Sequence, residues 1–133
     1  MARILIIEDD TYLNDAYRML LEKEGHQVTV AFNGKEGLDK LKGANPEVIL
    51  LDLLMPVMGG LDFLRQYKPD PKADHSPKIV ILTNLDQDKE IQEVMSLGAY
   101  KYVIKAHTSP KQLAIHVNHL INRNIDKKPD ENE

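Results

Sequence analysis

Three short runs along the chain are almost continuously apolar: Ile4–Ile7, Val48–Leu51 and Ile79–Leu82. Unbroken β-branched and leucine-rich runs of this length predict strands buried on both faces, as in a parallel sheet. Two further runs, Gln27–Phe32 and Lys101–Ile104, interleave polar residues and predict edge strands, one flank of which meets solvent. Helical periodicity fills the gaps. Leu13, Ala16, Tyr17, Leu20 and Leu21 form one apolar stripe, and Gly25 suits its C-terminal end. Asn33 opens a second helix, with Glu36 three residues on and Leu38 and Leu41 inside. A shorter third helix is predicted over Gly60–Tyr67. The fourth takes Asp86 as N-cap, carries Ile91, Val94 and Met95, and ends at Gly98. The fifth has the clearest start. Ser109 is its N-cap, Pro110 its first residue and Gln112 the far side of a capping box. Leu113, Val117, Leu120 and Ile121 supply its buried face.

Strand and helix alternate five times, which predicts an α/β protein with a parallel sheet and helices on both sides. With the two weaker strands at the edges, the strand order becomes 2-1-3-4-5, the flavodoxin-like doubly wound arrangement with five helices. Lys68–Ser76, with Pro69 and Pro71, reads as a loop. Residues 1–124 form one domain, and 125–133 read as a polar C-terminal tail.

Ligands in such sheets bind beyond the carboxyl ends of the strands, where strand order reverses, here between strands 1 and 3. Strand 1 runs into Glu8-Asp9-Asp10 and strand 3 into Asp52. Two unconnected segments therefore deliver carboxylates to one crevice, and Thr83 and Lys105 end strands 4 and 5 on the same edge. Carboxylates this close raise one another's pKa unless a cation compensates. Oxygen ligands with spare water positions suit Mg²⁺. A carboxylate beside such an ion can act as nucleophile toward a phosphoryl group. The ion and a lysine then neutralise charge on the transferred oxygens, and the Thr83 hydroxyl can donate to one of them.

Composition narrows the picture. The 133 residues suit a single domain with a real core, and the net charge of -4 argues against a direct nucleic-acid binder. No cysteine is present, which excludes disulfides, thiol catalysis and cysteine-based zinc sites and suits a reducing cytoplasm. No apolar run reaches membrane-spanning length, and the N-terminal one lacks the features of a signal peptide. The expectation is a cytoplasmic domain that inserts into no membrane.

Four motifs now stand in order: Ile4–Asp10, Asp52-Leu53-Leu54-Met55-Pro56, Leu82-Thr83 and Tyr102–Lys105. Together they resemble the receiver domains of two-component response regulators, over residues 3–124. The resemblance implies a signalling switch, not an enzyme, that accepts a phosphoryl group on Asp52 from a histidine kinase or histidine phosphotransfer protein. It implies Mg²⁺ held directly by Asp9 and Asp52, through water by Glu8, and by the backbone carbonyl of Leu54. Lys105 would contact the phosphoryl group, Thr83 would be drawn toward it, and Tyr102 would follow inward. A downstream protein would then read the face of helix 4, strand 5 and helix 5.

The chain departs from the family pattern in places. Receivers usually carry a cis-linked proline after the strand-5 lysine, where this chain has Ala106. A cis bond before a non-proline residue costs about 2.5–4 kcal/mol, so a trans bond is expected. Asn84 stands where a small residue usually follows the threonine. Leu54 and Leu85 occupy variable tuning positions, and neither can orient a hydrolytic water, so slow autodephosphorylation is expected. Tyr100 and Lys101 stand where the common DNA-binding subfamily has acidic residues, which argues against that subfamily's dimer.

Plainer roles compete. Asp10 reads as a helix cap, Met55 and Met58 as loop packing, and His116 and His119 as exposed residues without a third metal ligand. His26, His75 and His107 belong to no visible constellation, and Lys127-Lys128 is too small for a nucleic-acid patch. A haloacid-dehalogenase-like phosphatase would need an aspartate at Leu54 and a cap domain. A flavodoxin-type carrier would find its flavin phosphate repelled by Glu8-Asp9-Asp10. A degenerate receiver that binds partners without phosphorylation, and a receiver excised from a longer regulator, both stay open.

Overall fold

The computed structural model describes residues 1–70, 72–73, 75–84 and 88–126. Nearly continuous burial marks the three central strands of the sheet. Strands β1 (Arg3–Ile7), β2 (Gln27–Ala31), β3 (Val48–Asp52), β4 (Lys78–Thr83) and β5 (Lys101–Ile104) are all parallel, in the order β2-β1-β3-β4-β5. The two interleaved runs are the edge strands, as expected, and every residue of β3 is buried. Successive side chains point to opposite faces, so each central strand feeds two cores. Ile4, Ile6, Leu50 and Leu82 pack under helices α1 (Thr11–Lys23) and α5 (Pro110–Asp126), with Tyr17, Leu21, Leu113 and Val117. Leu5, Ile7, Leu51 and Ile81 pack on the opposite face with Phe63, Leu64 and Val94, beneath α2 (Gly34–Ala44), α3 (Gly60–Tyr67) and α4 (Asp88–Ser96).

The helix ends follow the sequence closely. Asp10 accepts from the Leu13 amide as the cap of α1, and Asn33 accepts from Glu36 as the cap of α2. Ser109 and Gln112 exchange both capping-box hydrogen bonds, at 3.1 and 2.9 Å. Gly25, at φ +92°, ends α1 with its amide on the Glu22 carbonyl while the His26 amide reaches Leu21. Three readings need adjustment. Helix α4 ends at Ser96, two residues before Gly98, and Met95 is exposed although its spacing placed it on the apolar stripe. Helix α5 continues to Asp126, past the expected start of the tail. Asp86, Leu85, Pro71 and residues 127–133 lie outside the described residues.

His26, read as belonging to no constellation, bridges the start of the chain and α5. Its Nδ1 accepts from the Ala2 amide at 3.1 Å, and its Nε2 lies 2.7 Å from Asn118 Oδ1 on α5. The acceptor role of Nδ1 assigns the proton to Nε2.

The loop after β3 carries local strain. Val57 sits at φ +69° and is 80 % exposed, with the Met58 amide closing a γ-turn on the Pro56 carbonyl at 2.7 Å. A β-branched residue there is a true outlier. The loop is pinned by Gly60 N–H to Leu53 O at 2.9 Å and Gly34 N–H to Met58 O at 2.8 Å. A Cβ on Gly60 would lie 2.5 Å from the Asp52 carbonyl oxygen, so only glycine lets α3 start this close to the end of β3. Val57→Gly should relieve about 1–2 kcal/mol of steric cost and return part of it as chain entropy. Thermal unfolding should show Tm higher by ~2–4 °C; a lower Tm would mean that the valine side chain makes a compensating contact.

Candidate phosphoacceptor site

The crossover between β1 and β3 places the acidic residues as the strand pattern implied. Glu8 and Asp9 follow β1 directly, and Asp52 is the last residue of β3. One carboxylate oxygen from each lies within 4.8 Å of the other two. Glu8 and Asp52 are buried and Asp9 is half-buried. Among the described residues this is the one such cluster; His116 and His119 are not buried and join none.

Lys105 follows β5 in a short 3-10 turn, Lys105–His107, and every described peptide bond, including that to Ala106, is trans. Its Nζ lies 2.8 Å from Glu8 Oε1 and 3.4 Å from Asp52 Oδ2. Charge more than direction governs the closer contact, since Glu8 Oε1 accepts no well-aligned hydrogen bond. Glu8 Oε2 accepts from the Asp10 amide at 3.1 Å. Burial, then the neighbouring Glu8 charge, push the Asp52 carboxyl up to about 8, against a smaller opposing pull from Lys105. Burial lowers Lys105, but its bond to Glu8 and the charge of Asp52 outweigh that and raise it overall. Tyr17, buried on α1, is pushed up to about 12 by burial and then by Glu8.

Thr83, buried, ends β4 in register with Ile104. Asn84 follows it and is exposed. Tyr102 lies on β5 in register with Ile81 and is 43 % exposed, so its ring is turned toward solvent. Leu54 is 65 % exposed, while Met55 and Met58 pack against the core as expected. Tyr100 lies under the Lys78 ammonium, 4.7 Å from the ring centre.

The sequence reading overlooked Asn14. Its Nδ2 donates to the Glu8 carbonyl at 2.9 Å and the Ala31 carbonyl at 3.1 Å, and the side chain is buried. The signal was present: positions 14, 17 and 21 share one helix face, and this face, more than the half-buried Leu13 and Leu20, meets the core.

The set is all oxygen, carries three carboxylates, and has one ammonium over two of them. Such a donor set fits a hard divalent cation such as Mg²⁺, whose charge would favour the ionised form of a carboxyl that burial and then Glu8 push up.

Comparison with known proteins agrees with this geometry. The profile of the response regulator receiver domain matches residues 4–118. The chain is 36 % identical over 107 residues to Protein PilH of Pseudomonas aeruginosa, covering 79 % of this chain and 86 % of PilH. It is 34 % identical over 116 residues to the sensory transduction protein RegX3 of Mycobacterium tuberculosis, covering 86 % of this chain and 48 % of RegX3. The chain spans about half the length of most of the curated relatives it matches. A CheY-like receiver domain from Methanospirillum hungatei superposes with a TM-score of 0.82 at 26 % identity, over 96 % of this chain and 99 % of that one. A Francisella receiver domain gives 0.78 at 30 % identity, over 93 % and 99 %. Five parallel strands in the order 2-1-3-4-5, an acidic crevice at the switch point and these matches converge: the chain belongs to the response regulator receiver domain family, whose work is phosphorylation-dependent signalling.

Proposed function

We propose that this domain accepts a phosphoryl group on Asp52 from a histidine kinase or histidine phosphotransfer protein, and then alters partner binding through the face of α4, β5 and α5. The observation that carries the reading is the meeting of Glu8, Asp9 and Asp52 within 4.8 Å, with the Lys105 ammonium beside them. Asp9 and Asp52 would hold Mg²⁺ directly, Glu8 through a water, and the Leu54 carbonyl would complete the protein ligands. When bound, the cation supplies charge that favours the ionised carboxylate and balances the phosphoryl oxygens.

The chain's own residues account for the rest. A carboxylate oxygen of Asp52 forms a bond to phosphorus while the bond from phosphorus to the donor breaks, and the donor leaves with the electron pair. Lys105 moves its interaction from the carboxylates to the incoming phosphoryl oxygens, Thr83 donates its hydroxyl to one of them, and Tyr102 turns inward from its exposed position. Downstream binding by protein contact fits a chain of net charge -4 better than direct nucleic-acid binding does. No helix among the described residues is long and apolar enough to cross a membrane.

Incubation with Mg²⁺ and a small-molecule phosphodonor should add the mass of one phosphoryl group to the intact protein. The gain should vanish with a chelator. Absence of any gain in a folded protein that also fails to bind Mg²⁺ would leave a receiver-shaped binding module instead.

A further inference from the structure

Among the described residues, four buried side chains are polar or charged: Glu8, Asn14, Asp52 and Thr83. Three belong to the proposed site. The fourth, Asn14, is 1 % exposed on the core face of α1, where a leucine would be the ordinary choice.

Its surroundings explain why an amide stands there. The parallel ladder between β1 and β2 runs from the Gln27 amide on Ala2 O to the Glu8 amide on Ala31 O. The next bond in register would bring an amide from β2 to the Glu8 carbonyl. No such amide is available, because the chain leaves the sheet after Ala31: the Phe32 amide turns to the Glu36 carboxylate, and Asn33 becomes the cap of α2. Asn14 Nδ2 donates to Glu8 O in its place and to Ala31 O as well. The cost is an Asn14 Oδ1 that is buried without a hydrogen-bond partner. Reversing the amide would set Oδ1 against two carbonyl oxygens, so the orientation is fixed by its partners. Asn14 is tied in turn to the acidic segment, since its own amide donates to Asp10 O at 2.9 Å.

We propose that Asn14 is a positioning residue of the phosphoacceptor site: its amide replaces the missing sheet donor and holds the Glu8 backbone, so that Glu8 and Asp9 present their carboxylates to the cation and to Asp52. This rests on the reading of Asp52 as phosphoacceptor. Asn14 touches neither the cation nor the phosphoryl group; it acts through the strand end that carries the acidic pair.

The test compares wild type, Asn14→Leu and Leu21→Ala, the last a core truncation on the same helix that leaves the Glu8 contacts alone. Mg²⁺ affinity is measured by calorimetry well below each Tm, beside phosphoryl uptake. Asn14→Leu should weaken Mg²⁺ binding by about 10-fold or more, as loss of supporting shells around metal sites does, while Leu21→Ala lowers Tm and leaves the affinity alone. An Asn14→Leu affinity within about twofold of wild type would overturn the proposal. A second measurement uses wild type only, in case the variant fails to fold. The Asn14 side-chain amide protons should exchange slowly with solvent and shift as Mg²⁺ is added; fast exchange or unmoved resonances would overturn it equally. Wild-type protein that neither binds Mg²⁺ nor takes up a phosphoryl group would instead remove the functional reading on which the proposal stands.

Discussion

Replacing Asp52 with asparagine should abolish phosphoryl uptake completely and, in a chelator, make the folded protein more stable. The two effects share one cause. Asp52 is buried beside Glu8, and its carboxyl is pushed up to about 8. Between its ordinary value of 3.8 and about 8, the folded state holds a proton that the unfolded chain has released. Stability of the metal-free protein therefore falls as pH rises through that window, and levels off above it. Lys105 does not reverse this. Its raised value contributes stability that is present throughout the window and lost only at higher pH.

An asparagine side chain does not titrate, so Asp52→Asn should flatten the fall and gain about 1–3 kcal/mol at neutral pH. Chemical unfolding in EDTA at pH 5.5 and pH 8, for both proteins, reads this directly. Mg²⁺ should shrink the wild-type slope as well, because a cation favours the ionised carboxylate. A wild type more stable at pH 8 than at pH 5.5, with the same slope in the variant, would mean that burial and Glu8 do not raise the Asp52 carboxyl.

The second large effect is expected at Lys105. Lys105→Met removes the ammonium from 2.8 Å of Glu8 and 3.4 Å of Asp52 while keeping most of the aliphatic volume. Breaking one side of a buried ion pair typically costs about 3–5 kcal/mol, and uptake of a proton by the carboxylates should hold the loss to about 2–3 kcal/mol. Mg²⁺ should restore much of it by answering the same charges. It should not restore function: without the ammonium, phosphoryl uptake at saturating Mg²⁺ should fall by about 10²-fold, the usual consequence of removing one positioned donor from transferring oxygens. Stability by calorimetry with and without Mg²⁺, and uptake by intact mass, separate the two roles. Unchanged uptake would make Lys105 a structural ion pair alone.

Much of this site lies in local pattern. Strand runs and their ends are written in consecutive residues, so Glu8, Asp9 and Asp52 could be placed at one sheet edge from the sequence. Edge strands were legible because interleaved polar residues at Gln27–Phe32 and Lys101–Ile104 record one-sided burial. The capping box of Ser109 and Gln112 is likewise a three-residue event. Met95 misled for the same reason: helical spacing marks a candidate face, but only the neighbouring elements determine how far that face is covered.

The order of elements, the central and edge strands and the carboxylates at the switch point all follow from residue pattern alone, because hydrophobic periodicity and strand termini are local properties. Tertiary structure decided which cation answers Glu8, which side chain replaces the missing ladder donor and how His26 ties Ala2 to α5. Those depend on distances between segments far apart in the chain. Lys105 reaches Glu8 across the ends of β3 and β4 only because β5 lies three strands from β1 at a fixed register, and Asn14 finds the Glu8 carbonyl open, beside an Ala31 carbonyl it shares with the Glu8 amide, only because β2 stops at Ala31. Register and strand length are set by packing of the whole sheet, and no window of neighbouring residues contains them.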